Sequence, residues 1–309
     1  MTEFAKGRDE CGSGVRAALE MSAPYLLWIA FILVFQVAAS LGAPLPRSWA
    51  APAYALKSAL CLALLLLLRR WTSQSQISNP SHLSTQHSSN LKSQISNSKS
   101  QISNSSHLPP PNPQLTTSQL PNFSTSQLPT SLFIGILVFI LWVAPECRWL
   151  YDHCRPLSLL YHRWLVMPLG AYPEYFTPQT FPAISPDCSG LAFSPAEAGW
   201  PLAIARLLGS AFVIAPAEEL FFRGFLYRWI QGRNWRAIDI SKFDAHSFWI
   251  VVAVFAFEHD RWLMGAVAGI AYGLLAIKCG GLRAAIVAHI TTNLLLGIYV
   301  LVFSRYGFW

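Results

Sequence analysis

Glu218, Glu219 and Arg223 stand in the run FVIAPAEELFFRGFLYRW, residues 212–229, which is otherwise almost wholly apolar and aromatic. Two later runs, FAFEH at 255–259 and HITTN at 289–293, add His259, His289 and Asn293. Ionisable groups at such depth in apolar sequence cost a few kcal/mol each unless paired or hydrated, so each needs a partner or a task. At helical spacing Glu219 precedes Arg223 by one turn, the favourable order for an ion pair on one face. Glu218 is rotated about 100° from its neighbour and has no such partner. His289 and Asn293 share one face of their helix, as do Phe255 and His259. A carboxylate shielded from bulk solvent is an effective base toward water, and an imidazole beside it can share that water. His and Asn donors on one face can stabilise an oxyanion, at roughly 3 kcal/mol per donor. Together the groups suit amide hydrolysis. Singly, each has a plainer reading as helix glue, an interfacial residue or a backbone hydrogen-bonding group.

The elements that would position these groups are apolar helices. The chain of 309 residues is 53% hydrophobic and 12% charged, with 12 Trp and long gaps between charges, a membrane profile. A span needs roughly 20 apolar residues. Candidates lie at 23–43, 49–68, 131–146, 199–218, 246–259, 262–277 and 284–304, the fifth and sixth being short. The expected fold is therefore all-α, a polytopic transmembrane bundle of about seven to eight spans. The first segment is too long and too far from the N-terminus for a cleaved signal peptide. Pro216 is expected to loosen a turn and admit water beside Glu218. Gly265, Gly269 and Gly273 form a small-residue face that lets helix backbones approach.

The domains expected are a tail and two spans over 1–71, an insertion over 72–130, a span and interfacial loops over 131–198, and a core over 199–309. The insertion is Ser, Gln, Asn, Thr and Pro with SQISN repeated at 75–79, 93–97 and 100–104, too polar to offset its ordering entropy. Residues 156–172 suit a membrane interface, and the Pro-rich 173–198 suits loop. With the N-terminus cytoplasmic, fourteen Lys and Arg fall on the inner side and six on the outer, against the trend of Arg148, Arg155 and Arg163. That places a multi-pass protein in the cell's inner (plasma) membrane. The net charge of +7 is accounted for by topology, and no clustered basic face with interleaved aromatics points to nucleic acid. The six cysteines show no CxxC and no repeated spacing, so they are expected as buried free thiols, with Cys147 and Cys154 the one pair able to bridge on an outer face.

EELFFR at 218–223, FAFEH at 255–259 and HITTN at 289–293 resemble, in order, the EExxxR, FxxxH and HxxxN motifs of the CAAX prenyl protease and bacteriocin-processing family. The resemblance covers residues 199–304, and the aromatic-rich outer layout is similar to the subset found beside exosortase systems. It implies an all-helical intramembrane glutamate protease without metal or other cofactor, acting on a membrane-associated peptide or protein. Carried over by position, Glu218 would activate water with help from His259, and His289 and Asn293 would form the oxyanion hole. Glu219, Arg223 and Phe255 would hold the geometry.

Other readings stand beside this one. Glu218, His259 and His289 are of the types that hold a catalytic zinc, although HExxH is absent. No G-x-S-x-G elbow supports a serine nucleophile. A non-catalytic scaffold or a transporter would use the same groups for partner binding or proton relay, but residues 199–304 show no internal repeat.

Overall fold

A computed structural model describes residues 2–42, 46–77, 126–166 and 189–309, and within them every regular element is helical. The main elements are α1 (Thr2–Ser40), α2 (Ala50–Ile77), α3 (Gln127–Val143), α4 (Arg148–His153) and α5 (Arg155–Trp164). After them come α6 (Trp200–Gln231), α7 (Ala245–Phe257), α8 (Trp262–Lys278) and α9 (Leu282–Phe303). Five helices, α1, α2, α3, α6 and α9, are long and apolar enough to cross a membrane, and α7 and α8 are shorter apolar helices. Large apolar side chains point away from the bundle, among them Val34, Phe133, Phe212 and Val302, the last 67% exposed. Such a girdle belongs against lipid, and the chain is a multi-pass membrane protein.

α2 continues to Ile77 and α3 begins at Gln127, while residues 78–125 lie outside the described residues. The same is true of 167–188, and hence of part of the expected interfacial and loop stretches. Residues 189–198, expected as loop, carry a 3-10 turn at Ser189–Phe193 and a one-turn helix at Pro195–Ala198. Cys147 and Cys154 are unpaired and lie partly or fully exposed, so of the described thiols only Cys61 is buried.

Between helices in lipid there is little hydrophobic drive, so close backbone approach and polar contacts must hold the bundle. The stripe Gly265, Gly269, Gly273 does this for the α7–α8 hairpin: a Cβ at Gly273 would meet the Phe248 ring at 2.8 Å, and one at Gly265 the Ala256 carbonyl at 3.0 Å. α8 ends in a left-handed glycine, Gly280 at φ 63°, with Gly281 N–H donating to Ala276 and Gly280 N–H to Ile277. This reversal sends α9 back beside α8, and α9 in turn packs along α3. At that seam the Thr292 hydroxyl donates to the Gly135 carbonyl at 2.8 Å. At the other end Arg261 makes a bidentate pair with Glu146 and also donates to the Gly307 carbonyl, joining the end of α3, the α7–α8 turn and the C-terminus.

α6 carries the chemistry and is not a regular α-helix. It widens into π turns at Ser210–Ile214 and again at Leu220–Leu226, flanking the short α segment Ala215–Glu219. Pro216 explains the first: it has no N–H to donate, and its ring would strike the carbonyl four residues back in a regular helix. The wider turn relieves that conflict, and such bulges gather at functional sites. Farther along, the Tyr227 hydroxyl donates to the Lys242 carbonyl and accepts from Asp244 N–H, both at 2.9 Å. Asp244 caps α7 by accepting from Ser247 N–H, so the loop from α6 fixes where α7 starts.

Candidate active site

The three motif segments converge. Glu219 is fully buried, and its Oε1 accepts from Arg223 Nη1 at 3.1 Å and from His289 Nδ1 at 3.0 Å. A carboxylate paired with arginine only accepts, so Nδ1 of His289 carries the hydrogen and Nε2 carries the lone pair. That Nε2 stands 3.7 Å from Glu218 Oε2, beyond a direct hydrogen bond. Glu218 Oε2 has no hydrogen-bond partner, and the residue keeps 7% exposure where Glu219 has none. Neighbouring acids therefore differ: Glu219 is paired through Oε1, although its Oε2 is also buried without a hydrogen-bond partner, and Glu218 has no ion pair closer than 3.7 Å.

Phe255 is the hub beneath them. The Arg223 guanidinium lies 4.3 Å over its ring, Phe222 meets it edge-on at 5.2 Å, and His259 and His289 lie at 4.8 and 5.9 Å. Arg223 Nη2 also donates to the Gly269 carbonyl at 3.2 Å, which locks α6 to α8. His259 Nδ1 donates to the Phe255 carbonyl at 2.8 Å, leaving Nε2 as an acceptor, while Trp142 covers its ring edge-on. No ion pair joins His259 to either acid of α6. Asn293 lies on the His289 face, and its Nδ2 donates at 2.9 Å to the Ser210 carbonyl. Ala215 N–H donates to that same carbonyl, so Asn293 pins the first π turn.

Three further residues shape the site without belonging to the motif pattern. Tyr272 stacks on His289 at 4.7 Å and donates its hydroxyl to Thr292 at 2.7 Å, fixing the imidazole plane. Glu258, beside His259, has an Oε2 that is buried without a hydrogen-bond partner. Tyr25 of α1 lies against Glu258 and stacks on Phe221 at 4.4 Å, so the N-terminal helix closes one wall. The chain shows Glu258 inside FAFEH, but its inward turn is a property of the α7–α8 corner and not of any spacing.

Among the described residues no three His, Cys, Asp or Glu side chains come together as a metal-holding group. The hollow between α6, α7 and α8 is lined by Arg223, Tyr227, Phe248, Val252 and Gly273 among others, and by neither Glu218 nor a histidine.

Comparison with known proteins bears on the helices that build this site. Residues 200–295 match the family model described as type II CAAX prenyl endopeptidase, Rce1-like. The match does not distinguish the exosortase-associated subset. No curated protein and no solved structure matches the chain. The matched segment opens at the start of α6 and ends just past Asn293 in α9, so it takes in all three polar segments and none of α1 to α3. Residues 200–295, under a third of the chain, are thus similar to an Rce1-like type II CAAX prenyl endopeptidase domain, which supports a membrane peptidase.

Proposed function

We propose that this domain is a metal-independent glutamate endopeptidase that hydrolyses a peptide bond near the C-terminus of a membrane-associated peptide or protein. The observation that carries the reading is the contrast between the two acids: Glu219 Oε1 is tied to Arg223 and His289 in full burial, while Glu218 Oε2 has only His289 Nε2 at 3.7 Å and the residue retains slight access. Glu218 takes a proton from water, and the Nε2 lone pair of His259, fixed by the Nδ1 bond to Phe255, accepts the second water hydrogen. The hydroxide adds to the scissile carbonyl. Glu218 then returns the proton to the departing amine, so acid and base balance over the cycle. The donor for the oxyanion is Asn293, which has a second N–H beyond the one given to Ser210, while His289, bonded to Glu219 through Nδ1 with a lone pair on Nε2, lines the site without donating from that atom. Arg223 and Glu219 position His289. Metal independence is supported by the scattered aim of the donors, with His259 turned to a backbone carbonyl and His289 held on Glu219. The N-terminus is assigned to the cytoplasmic side of the inner membrane, so the substrate enters from the cytoplasm or laterally from lipid.

The test compares peptides released from membranes containing the wild-type chain or Glu218→Gln. Release should fall by about 10²- to 10⁴-fold with thermal unfolding unchanged, and a strong chelator should leave wild-type cleavage intact. Cleavage that survives Glu218→Gln ends this assignment. Activity lost to the chelator and restored by zinc replaces it with the metal reading.

A further inference from the structure

Glu258 stands at the site without a part in the hydrolysis. It caps the end of α7, where its N–H donates to the Val254 carbonyl at 3.3 Å, and its Oε2 is buried with no hydrogen-bond partner. From α1, Tyr25 turns its hydroxyl to this carboxyl while its ring stacks on Phe221 at 4.4 Å and meets Phe222 edge-on at 5.2 Å. Phe222 follows Glu218 by four positions on α6. Tyr25 therefore joins the two acids: its hydroxyl lies against Glu258 and close enough to Glu218 for their charges to interact, as do those of Glu218 and Glu258. Tyr25 stands outside the segment that matches the family model.

The charges here do not cancel. The cation beside Glu218, Glu219 and Glu258 is Arg223, whose Nη1 is given to Glu219 and Nη2 to the Gly269 carbonyl. The imidazoles of His259 and His289 each donate from Nδ1 and keep a lone pair on Nε2, so they add no charge. Three carboxylates against one guanidinium would leave two negative charges unmet where bulk water does not reach, and such charges are costly in a low-dielectric site. A proton on one carboxyl reduces the surplus, and neighbouring carboxyls that share one proton divide into a base and an acid. Tyr25 suits Glu258 to the second part, because a phenol hydroxyl donates to a carboxylate and accepts from a carboxylic acid. Glu258 thus keeps its partner in either form.

We propose that Glu258, oriented by Tyr25, is the acid of the reaction: it holds a proton at rest and gives it to the departing amine, and Glu218 refills it with the proton taken from water. This inference rests on Glu218 being the hydrolytic base. Glu218 removes a proton from water as the new C–O bond forms. As the C–N bond breaks, the amine nitrogen takes the proton of Glu258 and the oxyanion re-forms the carbonyl. The proton on Glu218 then passes to Glu258, which restores one carboxylate and one carboxylic acid. In net terms the proton leaves Glu218 for the amine, with Glu258 as the relay, and only water is consumed. Through Tyr25, α1 becomes part of the active site.

The test uses the full chain in phosphatidylcholine nanodiscs and two lipopeptides, Ser-Cys(S-farnesyl)-Val-Ile-Ser and its depsipeptide with an ester in place of the Cys–Val amide. An alkoxide leaves a tetrahedral intermediate without a proton far more readily than an amine does, so loss of an acid falls on the amide. Glu258→Gln should lower the ratio of amide to ester cleavage about 10²-fold, and Tyr25→Phe, which keeps the ring on Phe221, about tenfold. Glu218→Gln should lower both rates and leave the ratio within threefold. Infrared difference spectra of the peptide-free wild type against Glu258→Gln at neutral pH should show the carbonyl stretch of a protonated carboxyl. An unmoved ratio in Glu258→Gln, including equal loss on both peptides, overturns the proposal and makes Glu258 structural. Absence of the carboxyl band, or a wild type that cleaves neither peptide, overturns it too. Cleavage of both peptides that survives Glu218→Gln ends the base reading and the proposal with it, whereas an unmoved ratio in Glu258→Gln ends the proposal alone, so the two failures are distinguishable.

Discussion

The bundle buries positive charge in two regions on opposite plans. Around Arg223 the cation is answered within the protein, by Glu219 at 3.1 Å, by the Gly269 carbonyl and by the Phe255 face. Around the buried Lys57 and the part-buried Arg206 it is met by the faces of Trp28 and Tyr54. Arg261, paired with Glu146 and the Gly307 carbonyl, follows the first plan at the far end of α8. A burial whose charge is complete ties helices together, as Arg223 ties α6 to α8. A burial left without a counter-charge costs more than the ring contacts return. The two plans predict opposite signs when the charge is removed.

The largest effect is expected at the completed site. Glu219→Ala leaves Arg223 buried and unpaired and removes the acceptor for His289 Nδ1, so it should cost about 3–5 kcal/mol of stability. Thermal unfolding of the purified protein reads this directly. The adjacent Glu218→Gln, which removes a charge that no partner answers, should leave the midpoint unchanged. A loss below about 1 kcal/mol at Glu219 would break the contrast between neighbouring acids.

At Lys57, whose ammonium lies over the Trp28 ring, the sign should invert. Lys57→Met keeps length and apolar volume while removing a charge that costs about 3 kcal/mol against about 2 returned by Trp28 and Tyr54. The variant should therefore be more stable by about 1 kcal/mol in the peptide-free protein. Destabilisation by that much would make the ammonium part of the packing and bring the two regions onto one plan.

Legibility followed the same division. Part of the completed site was legible because it recurs at helical spacing, as in Glu219 with Arg223, Phe255 with His259, and the shared face of His289 and Asn293, whereas the bond from His289 to Glu219 spans 70 residues and has no local signal. The spans were legible too, down to the shortness of α7 and α8, because length and apolarity are additive along a sequence. Lys57 and Arg206 gave no such signal. Each is a lone cation in an apolar run, and only the packing of α2 against α6 makes them a pair. The two π turns carry no periodic signature, and Pro216 hinted at the first alone. Asn293 follows His289 by one helical turn, but its bond to Ser210 depends on the first π turn, which the sequence does not encode locally. Glu258 and Tyr25 meet across the α1 and α7 ends, a contact that belongs to tertiary structure alone.

The smallest effect tests how finely the completed site is held. Tyr272 supports His289 in two separable ways, by the stacked ring and by the hydroxyl given to Thr292. Tyr272→Phe keeps the ring and loses one hydrogen bond, while Thr292 keeps its own donation to Gly135, so the cost should be about 1 kcal/mol. Peptide release should stay within about threefold of wild type, because His289 keeps Glu219 and the stacked face. If release instead falls tenfold or more with that small stability loss, the hydroxyl sets the imidazole angle, and Glu219 with Arg223 does not complete the site without α8.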